Sequence, residues 1–280
     1  MSNPFEITFW GVRGTMPTPG PDTLKYGGHT SCVEMRCGER RLIFDAGSGI
    51  AGLGRDASLQ DVDLFLSHTH IDHIMGFPFF GPVFREGVKL RLWTGHLMLQ
   101  RMNLKEVMRR LISPPIFPLR LEDLKAHISY YDFVAGNAID AEHLDAAGSA
   151  IKTMPLNHPD GATGYRVEYE GRSACYITDV EHLRDGLDAT LIEFISGTDL
   201  LIYDCTFDDR DFDRFVGWGH STWQEATRLA DAANVKKLAL FHHDPARSDA
   251  DLDARLIELH AIRPNDVVAR EGMVISLHKT

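Results

Sequence analysis

"SHTHIDHIMG", residues 67–76, places His68, His70, Asp72 and His73 within six positions. Histidine and aspartate cost hydrogen bonds when buried, so packing does not explain the crowding. A solvated surface loop is the bland alternative. Imidazole is, however, the commonest metal-binding side chain, and these residue types at this density read as a metal-binding segment. The stretch also follows directly on a strand-like run, "VDLFLS" (62–67).

That junction recurs along the chain. "IKTMPLN" runs into His158, "ACYIT" into Asp179 and "KLALF" into His242, while "LLIYD" ends in Asp204 itself. Apolar strands that deliver a coordinating residue at their carboxyl ends follow the rule for ligand sites in open α/β sheets. A dinuclear site needs three to four protein ligands per ion and a bridging group. His68 and His70 can turn toward one ion, with His158 completing the set. Asp72 and His73 can face a second, completed by His242. Asp179, short and anionic, suits the bridge. The expected cofactors are therefore two divalent transition-metal ions. Zinc comes first, and manganese or iron is accepted by the same donors.

Short apolar runs at 6–10, 31–36, 41–45, 62–67, 89–94 and 127–132 read as strands. Those at 150–156, 165–169, 173–178, 199–204, 237–241 and 272–278 continue the pattern. Helical spacing occurs at 104–111, 223–233 and 252–259, with Thr222 and Glu225 at capping-box spacing. Strands fill the first half and alternate with helices in the second. This predicts sheets with helices packed outside, in one domain over 1–280. The segment 95–125 carries Arg101, Lys105, Arg109 and Arg110. It reads as a solvated helix face or as a lid or substrate arm.

The 280 residues carry 40 acids against 29 bases, a net charge of −11. That balance disfavours a long nucleic acid as partner and favours a small one, although bound cations would reverse the sign locally. No apolar run reaches the ~18 residues of a membrane helix, so no membrane partner is expected. The opening "MSNPFEITFW" has no basic segment followed by an apolar one, which makes the cytoplasm the default location. A homodimer is left open. Cys32, Cys37, Cys175 and Cys205 form no CxxC pair. Cys175 and Cys205 lie in apolar strand-like runs and read as small buried hydrophobes.

"SHTHIDH" resembles the HxHxDH motif of the metallo-β-lactamase fold, and "LNH", "ITD" and "LFHHDP" resemble its later motifs in order. "FWGVRGTMPTPG", "YGGHTSCVE" and "GHSTWQEATRLA" are similar to the phosphodiesterase branch that includes ribonuclease Z. The resemblance runs from Ile7 to His278. It implies an α/β fold, a four-layer αββα sandwich with a dinuclear metal site at the edge between the two sheets. It also implies a metal-dependent hydrolase of phosphodiesters, with His68, His70, Asp72, His73, His158, Asp179 and His242 as metal ligands. Candidate catalytic residues are His220, Asp204 and Asp72, the last also a ligand. His29 and His243 are candidates for the substrate pocket.

The chain departs from ribonuclease Z at Asp204, where Glu is usual, and at His243, where Phe is usual. It also lacks a recognisable long tRNA-gripping arm. A cyclic nucleotide or short oligonucleotide is therefore expected ahead of precursor tRNA. The other readings are a thioester, lactone or β-lactam hydrolase on the same scaffold, and a metal-bound nucleotide sensor with little turnover. Asp45 is expected to cap or to support a ligand. His96, His127, His143, His182, His260 and His278 are expected at the surface.

Overall fold

The computed structural model describes residues 5–137, 139 and 149–277. His143 and His278 lie outside the described residues. The first sheet is built from β1 (Phe5–Gly11), β2 (Cys32–Cys37), β3 (Arg40–Phe44), β4 (Asp61–Leu66), β5 (Lys89–Thr94) and β6 (His127–Asp132). The second uses β7 (Ser149–Leu156), β8 (Ala162–Tyr169), β9 (Arg172–Ile177), β10 (Leu200–Asp204), β11 (Leu238–Phe241) and the short β12 (Val267–Val268). The last strand, β13 (Val274–Ser276), returns to the first sheet beside β1.

The spatial orders are β13-β1-β2-β3-β4-β5-β6 and β12-β11-β10-β9-β8-β7. In each sheet an antiparallel group (β1-β2-β3 and β7-β8-β9) leads into a parallel run (β3 to β6 and β9 to β12). The sequence explains the difference. β1 alternates buried Phe5, Ile7 and Phe9 with half-buried Glu6 and Thr8, as a strand with one covered face should. β10 and β11 are buried at every position, as strands covered on both faces must be.

Three apolar clusters define the layers. Between the sheets, Phe9, Phe44, Phe65, Tyr165, Tyr176 and Phe241 form an aromatic core. Outside the first sheet, Ile43, Leu64 and Leu90 meet α1 (Ile50–Leu53) and α3 (Leu104–Leu111). Outside the second, Leu201, Tyr203 and Leu240 meet α4 (Ala189–Ile195), α6 (Trp223–Ala232) and α7 (Asp249–Ile262). The result is the αββα sandwich. The one-turn helices α2 (Ile71–Ile74) and α5 (Asp209–Phe212) sit in loops at the sheet edge.

Caps mark the longer helices. Asn103 accepts from Glu106 N at α3, Thr222 from Glu225 N at α6, and Ser248 from Asp251 N at α7. At α6 only half of the expected box forms, because the Glu225 carboxylate turns to Arg228. Within 95–125, Leu104, Met108 and Ile112 anchor α3 in the outer core. On its exposed side Arg109 bonds Glu122 and Arg110 reaches Glu106. All four cysteines are free and buried. Among the described residues no helix is long and apolar enough to cross a membrane.

Candidate metal centre

The strand ends bring the coordinating residues together at one edge of the sandwich. His68 follows β4, Asp179 follows β9, Asp204 ends β10 and His242 follows β11. Asp45, Asp179 and His242 adopt positive φ (61°, 55° and 58°). This left-handed step breaks the pleat and turns each chain over the sheet edge; Asp and His tolerate it better than most residues. α2 starts immediately after His70 and holds Asp72 and His73, both buried, in its single turn. Room is made by glycine: a Cβ on Gly14 would lie 2.2 Å from the His242 ring.

The donor atoms converge. His70 Nδ1 lies 3.2 Å from His158 Nε2. His73 Nε2 lies 3.2 Å from both Asp72 Oδ2 and Asp179 Oδ2. His242 Nε2 lies 3.5 Å and 3.4 Å from the same two oxygens. His68 Nε2 is 3.8 Å from the other Asp179 oxygen, Oδ1. Two donor groups result, His68–His70–His158 and Asp72–His73–His242, with Asp179 placed between them.

Each imidazole is tied at one nitrogen and turns the other toward the cluster. His73 Nδ1 bonds Asp45 Oδ2 at 2.7 Å, and His158 Nδ1 donates to Gly219 O at 3.0 Å. His242 Nδ1 meets Thr206 Oγ1 at 3.1 Å, and that hydroxyl lies 2.8 Å from Asp204 Oδ1. His68 Nδ1 meets Ser67 Oγ at 3.1 Å, and Ser67 in turn donates to Asp45. His70 is tied in reverse, with Nε2 2.8 Å from Asp160 Oδ2, which turns Nδ1 inward. Such partners fix ring orientation and tautomer in metal sites.

The Nε2 atoms of His68, His73 and His242 are buried without a hydrogen-bond partner. Buried, unpartnered nitrogens beside carboxylates are costly unless a cation fills the space between them. The residues present therefore fit a pair of divalent ions.

The electrostatics carry the same signature. Burial opposes ionisation of Asp72 and Asp179, yet the surrounding imidazoles hold both well below the usual carboxylate range. Burial also opposes charging His73, but Asp179, Asp72 and Asp45 push its pKa well up. His68 and His158 go down, chiefly through burial. Neighbouring rings thus compete for protons in the space that cations would take.

Beside this cluster His220 Nδ1 bonds Asp204 Oδ2 at 2.9 Å. Burial alone would lower the His220 pKa, but Asp204 and then Asp179 raise it to about 9. Cations at the neighbouring donors would act against that rise. Asp204 is itself held by Asp179 N and by the backbone and hydroxyl of Thr206. His220 opens on a cleft of about 480 Å³ that also reaches Asp72, Asp179 and His70, with Asp204 fully buried behind it.

Other expected residues lie elsewhere. His243 is not in the cleft. It is fully buried on the opposite side of the strand end, with Nε2 bonded to Ala269 O at 2.8 Å and its pKa pushed down by burial to about 3. His29 is exposed, with Nδ1 3.1 Å from Ser48 Oγ, and is outside the cleft lining. His127 and His260 are exposed as expected. His96 and His182 are not surface residues. His96 is buried between Thr94 and Thr69, and His182 is half-buried against Phe212, stacked at 3.8 Å. Both have partners that become visible only in the folded chain.

Asp160 was missed by sequence reasoning. Its side chain is 66% exposed, so it contributes little to packing, and its contact is to His70. Asp160→Ala is expected to weaken metal binding by ~10–100-fold while leaving the thermal midpoint of the metal-free protein unchanged. Competition against a chelating dye measures the first and calorimetry the second.

Comparison with known proteins agrees with this fold. The sequence model of the Beta-lactamase superfamily domain matches residues 40–243. The chain is similar to ribonuclease Z of Picrophilus torridus, with 24% identity covering 100% of this chain and 98% of that protein. Among solved structures it is similar to the metallo-beta-lactamase fold protein YhfI from Bacillus subtilis. That match has a TM-score of 0.70 and 19% identity, over 99% of this chain and 100% of the other. It is also similar to the short form of human tRNase Z, with a TM-score of 0.64 and 21% identity, over 98% and 100% of the two chains.

Proposed function

The chain belongs to the beta-lactamase superfamily, and from that premise we propose that it is a metal-dependent hydrolase of small phosphodiesters. The observation that carries the reading is the pairing of two convergent donor groups with a separate His220–Asp204 dyad whose histidine lines the same cleft. His68, His70, His158 and Asp179 would hold one divalent ion, and Asp72, His73, His242 and Asp179 the other. The ions, when bound, would supply charge stabilisation to the phosphoryl oxygens and lower the pKa of a nearby water.

The remaining work falls to the protein. Asp204 accepts from His220 Nδ1 and so keeps the second ring nitrogen, Nε2, available to carry a proton to the leaving oxygen. A positioned donor of this kind contributes typically ~10²–10⁴-fold where the leaving alkoxide is strongly basic. A carbonyl hydrolase has less need of such a group, which ranks the thioester and lactone readings second. Thr15 N donates to Asp72 Oδ2 at 2.7 Å and holds that carboxylate in place at the cleft wall.

Substrate size is argued from charge. Among the described residues no lysine or arginine lines the cleft, and the chain carries a net −11. A long polyanion would find no partners there beyond one reacting phosphate.

A panel tests the proposal: an activated bis-aryl phosphodiester, cyclic nucleotides, a tRNA precursor, a thioester and a lactone, each with zinc and with manganese. The phosphodiesters are expected to turn over and the carbonyl esters to be poor. For one neutralised phosphate, kcat/KM should fall by no more than about fourfold between 50 and 200 mM salt, against the ~10³–10⁵-fold of a binder gripping 6–10 phosphates. A steep salt slope with preferred cleavage of structured RNA would reverse the choice of substrate.

A further inference from the structure

The wall of the cleft beside His220 is aromatic. Phe207 meets His220 edge-on with ring centres 5.9 Å apart, and stacks on Phe215 at 4.3 Å with planes 7° apart. Phe215 meets Trp218 edge-on at 5.4 Å. These rings step outward from the dyad to an indole that is 62% exposed at the mouth.

Trp218 is not a frayed loop tip. Gly217 N and Gly219 N, on either side of it, both donate to Glu181 Oε2, at 2.7 and 3.0 Å. Gly219 has φ of +81°, and a Cβ there would lie 2.1 Å from His158 Nδ1, so the backbone passes hard against the ring it orients. The same short stretch thus holds His158, His220 and Trp218 in register. Phe207, Phe215 and Trp218 together give the cleft a contiguous aromatic wall that reaches its mouth, and an exposed apolar patch in a groove marks a ligand-binding surface.

We propose that Trp218 and Phe215 form a stacking subsite for a flat aromatic group, a nucleobase or another aryl ring, carried on the leaving-group side of the substrate. The inference rests on the phosphodiesterase reading above. The side is set by Phe207, which joins the subsite to His220, the group placed to protonate the leaving oxygen. The chemistry is also set by what the cleft lacks. With no lysine or arginine in the described lining, a second phosphate has no counter-charge, whereas an aromatic ring has a face to lie on. Stacking of this kind tolerates any base, because every base has a π-face.

The test uses the metal-loaded protein, W218A and W218F. With bis(4-nitrophenyl) phosphate, W218A is expected to raise KM by about tenfold or more, with kcat changed much less, and W218F to recover most of the loss. Indole fluorescence gives a second readout that needs no turnover. Adenosine 5′-monophosphate and phenyl phosphate should quench the wild type and not W218F, and methyl phosphate should quench neither. The tighter of the two aromatic probes assigns the ring as a nucleobase or a simple aryl group. Equal KM in wild type and W218A, or quenching by methyl phosphate as strong as by the aromatic probes, overturns the subsite. Wild-type protein that hydrolyses no phosphodiester overturns the underlying reading instead, and the quenching titration still decides the subsite on its own.

Discussion

Asp179→Ala is expected to bind fewer than two ions and to lose turnover by roughly a thousandfold or more. Asp179 Oδ2 lies 3.2 Å from His73 Nε2 and 3.4 Å from His242 Nε2, and Oδ1 lies 3.8 Å from His68 Nε2. It is the described carboxylate placed between the two donor groups. Its removal takes one ligand from each ion and leaves the buried imidazoles without their main anion. Outer partners of metal ligands are worth ~10–100-fold in affinity, and a shared ligand must be worth more. Charge stabilisation by metal is worth several kcal/mol, and each ~1.4 kcal/mol is tenfold in rate. Elemental analysis of protein equilibrated with zinc or manganese gives the stoichiometry directly. Retention of two ions with activity intact would remove Asp179 from the bridging position.

The second large effect is expected at His220. Its Nδ1 is engaged by Asp204 at 2.9 Å, and its ring stacks near His242 at 4.9 Å without belonging to the His68–His70–His158 or the Asp72–His73–His242 group. His220→Ala should keep both ions and lose ~10²–10⁴-fold on alkyl phosphodiesters. On aryl esters, whose leaving groups need no proton, the loss should be under about tenfold. Asp204→Asn should show the same pattern more mildly, since an amide still accepts from Nδ1 but no longer opposes the imidazolium charge. Equal losses on both ester types would make His220 a binder of phosphoryl oxygen. Loss of an ion in His220→Ala would make it a ligand, for Asp179, Asp204, His220 and His242 also lie close enough to hold a cation.

Much of this arrangement could be read from residue order. β5 and β6 begin and end where their apolar runs do, and α3 matches its stripe residue for residue. The HxHxDH cluster was legible because its members are neighbours in the chain. His242 faces the cluster and His243 packs behind it, the separation that alternation along a strand suggests, although at this strand end the left-handed step at His242 makes the turn.

What stayed hidden has physical reasons. α4 is only seven residues long, and in "ATLIEFI" its apolar positions suit a strand as well as a helix. β8 begins at Ala162, ahead of its apolar run, because Ala162 and Thr163 pair with Leu156 and Pro155 across the ladder. Asp160 and His70 are 90 positions apart, and no local pattern joins them. His96 looked isolated because its partners are threonine hydroxyls, which carry no signal in sequence. Nothing in residue order singles out Trp218, since exposure is a property of the folded chain.

The left-handed steps at Asp45, Asp179 and His242 set robustness against reactivity. Backbone held in this region by a residue with a side chain costs on the order of 1–3 kcal/mol per position. Glycine would relieve that cost at each of the three, and glycine has neither a carboxylate nor an imidazole. The substitutions that most relax the main chain are therefore the ones that dismantle the centre. At Asp45 the exchange would also remove the acceptor shared by Ser67 N, Ser67 Oγ, His73 Nδ1 and Tyr176 Oη, so relaxing the main chain there would unmake bonds that join the two sheets at this edge.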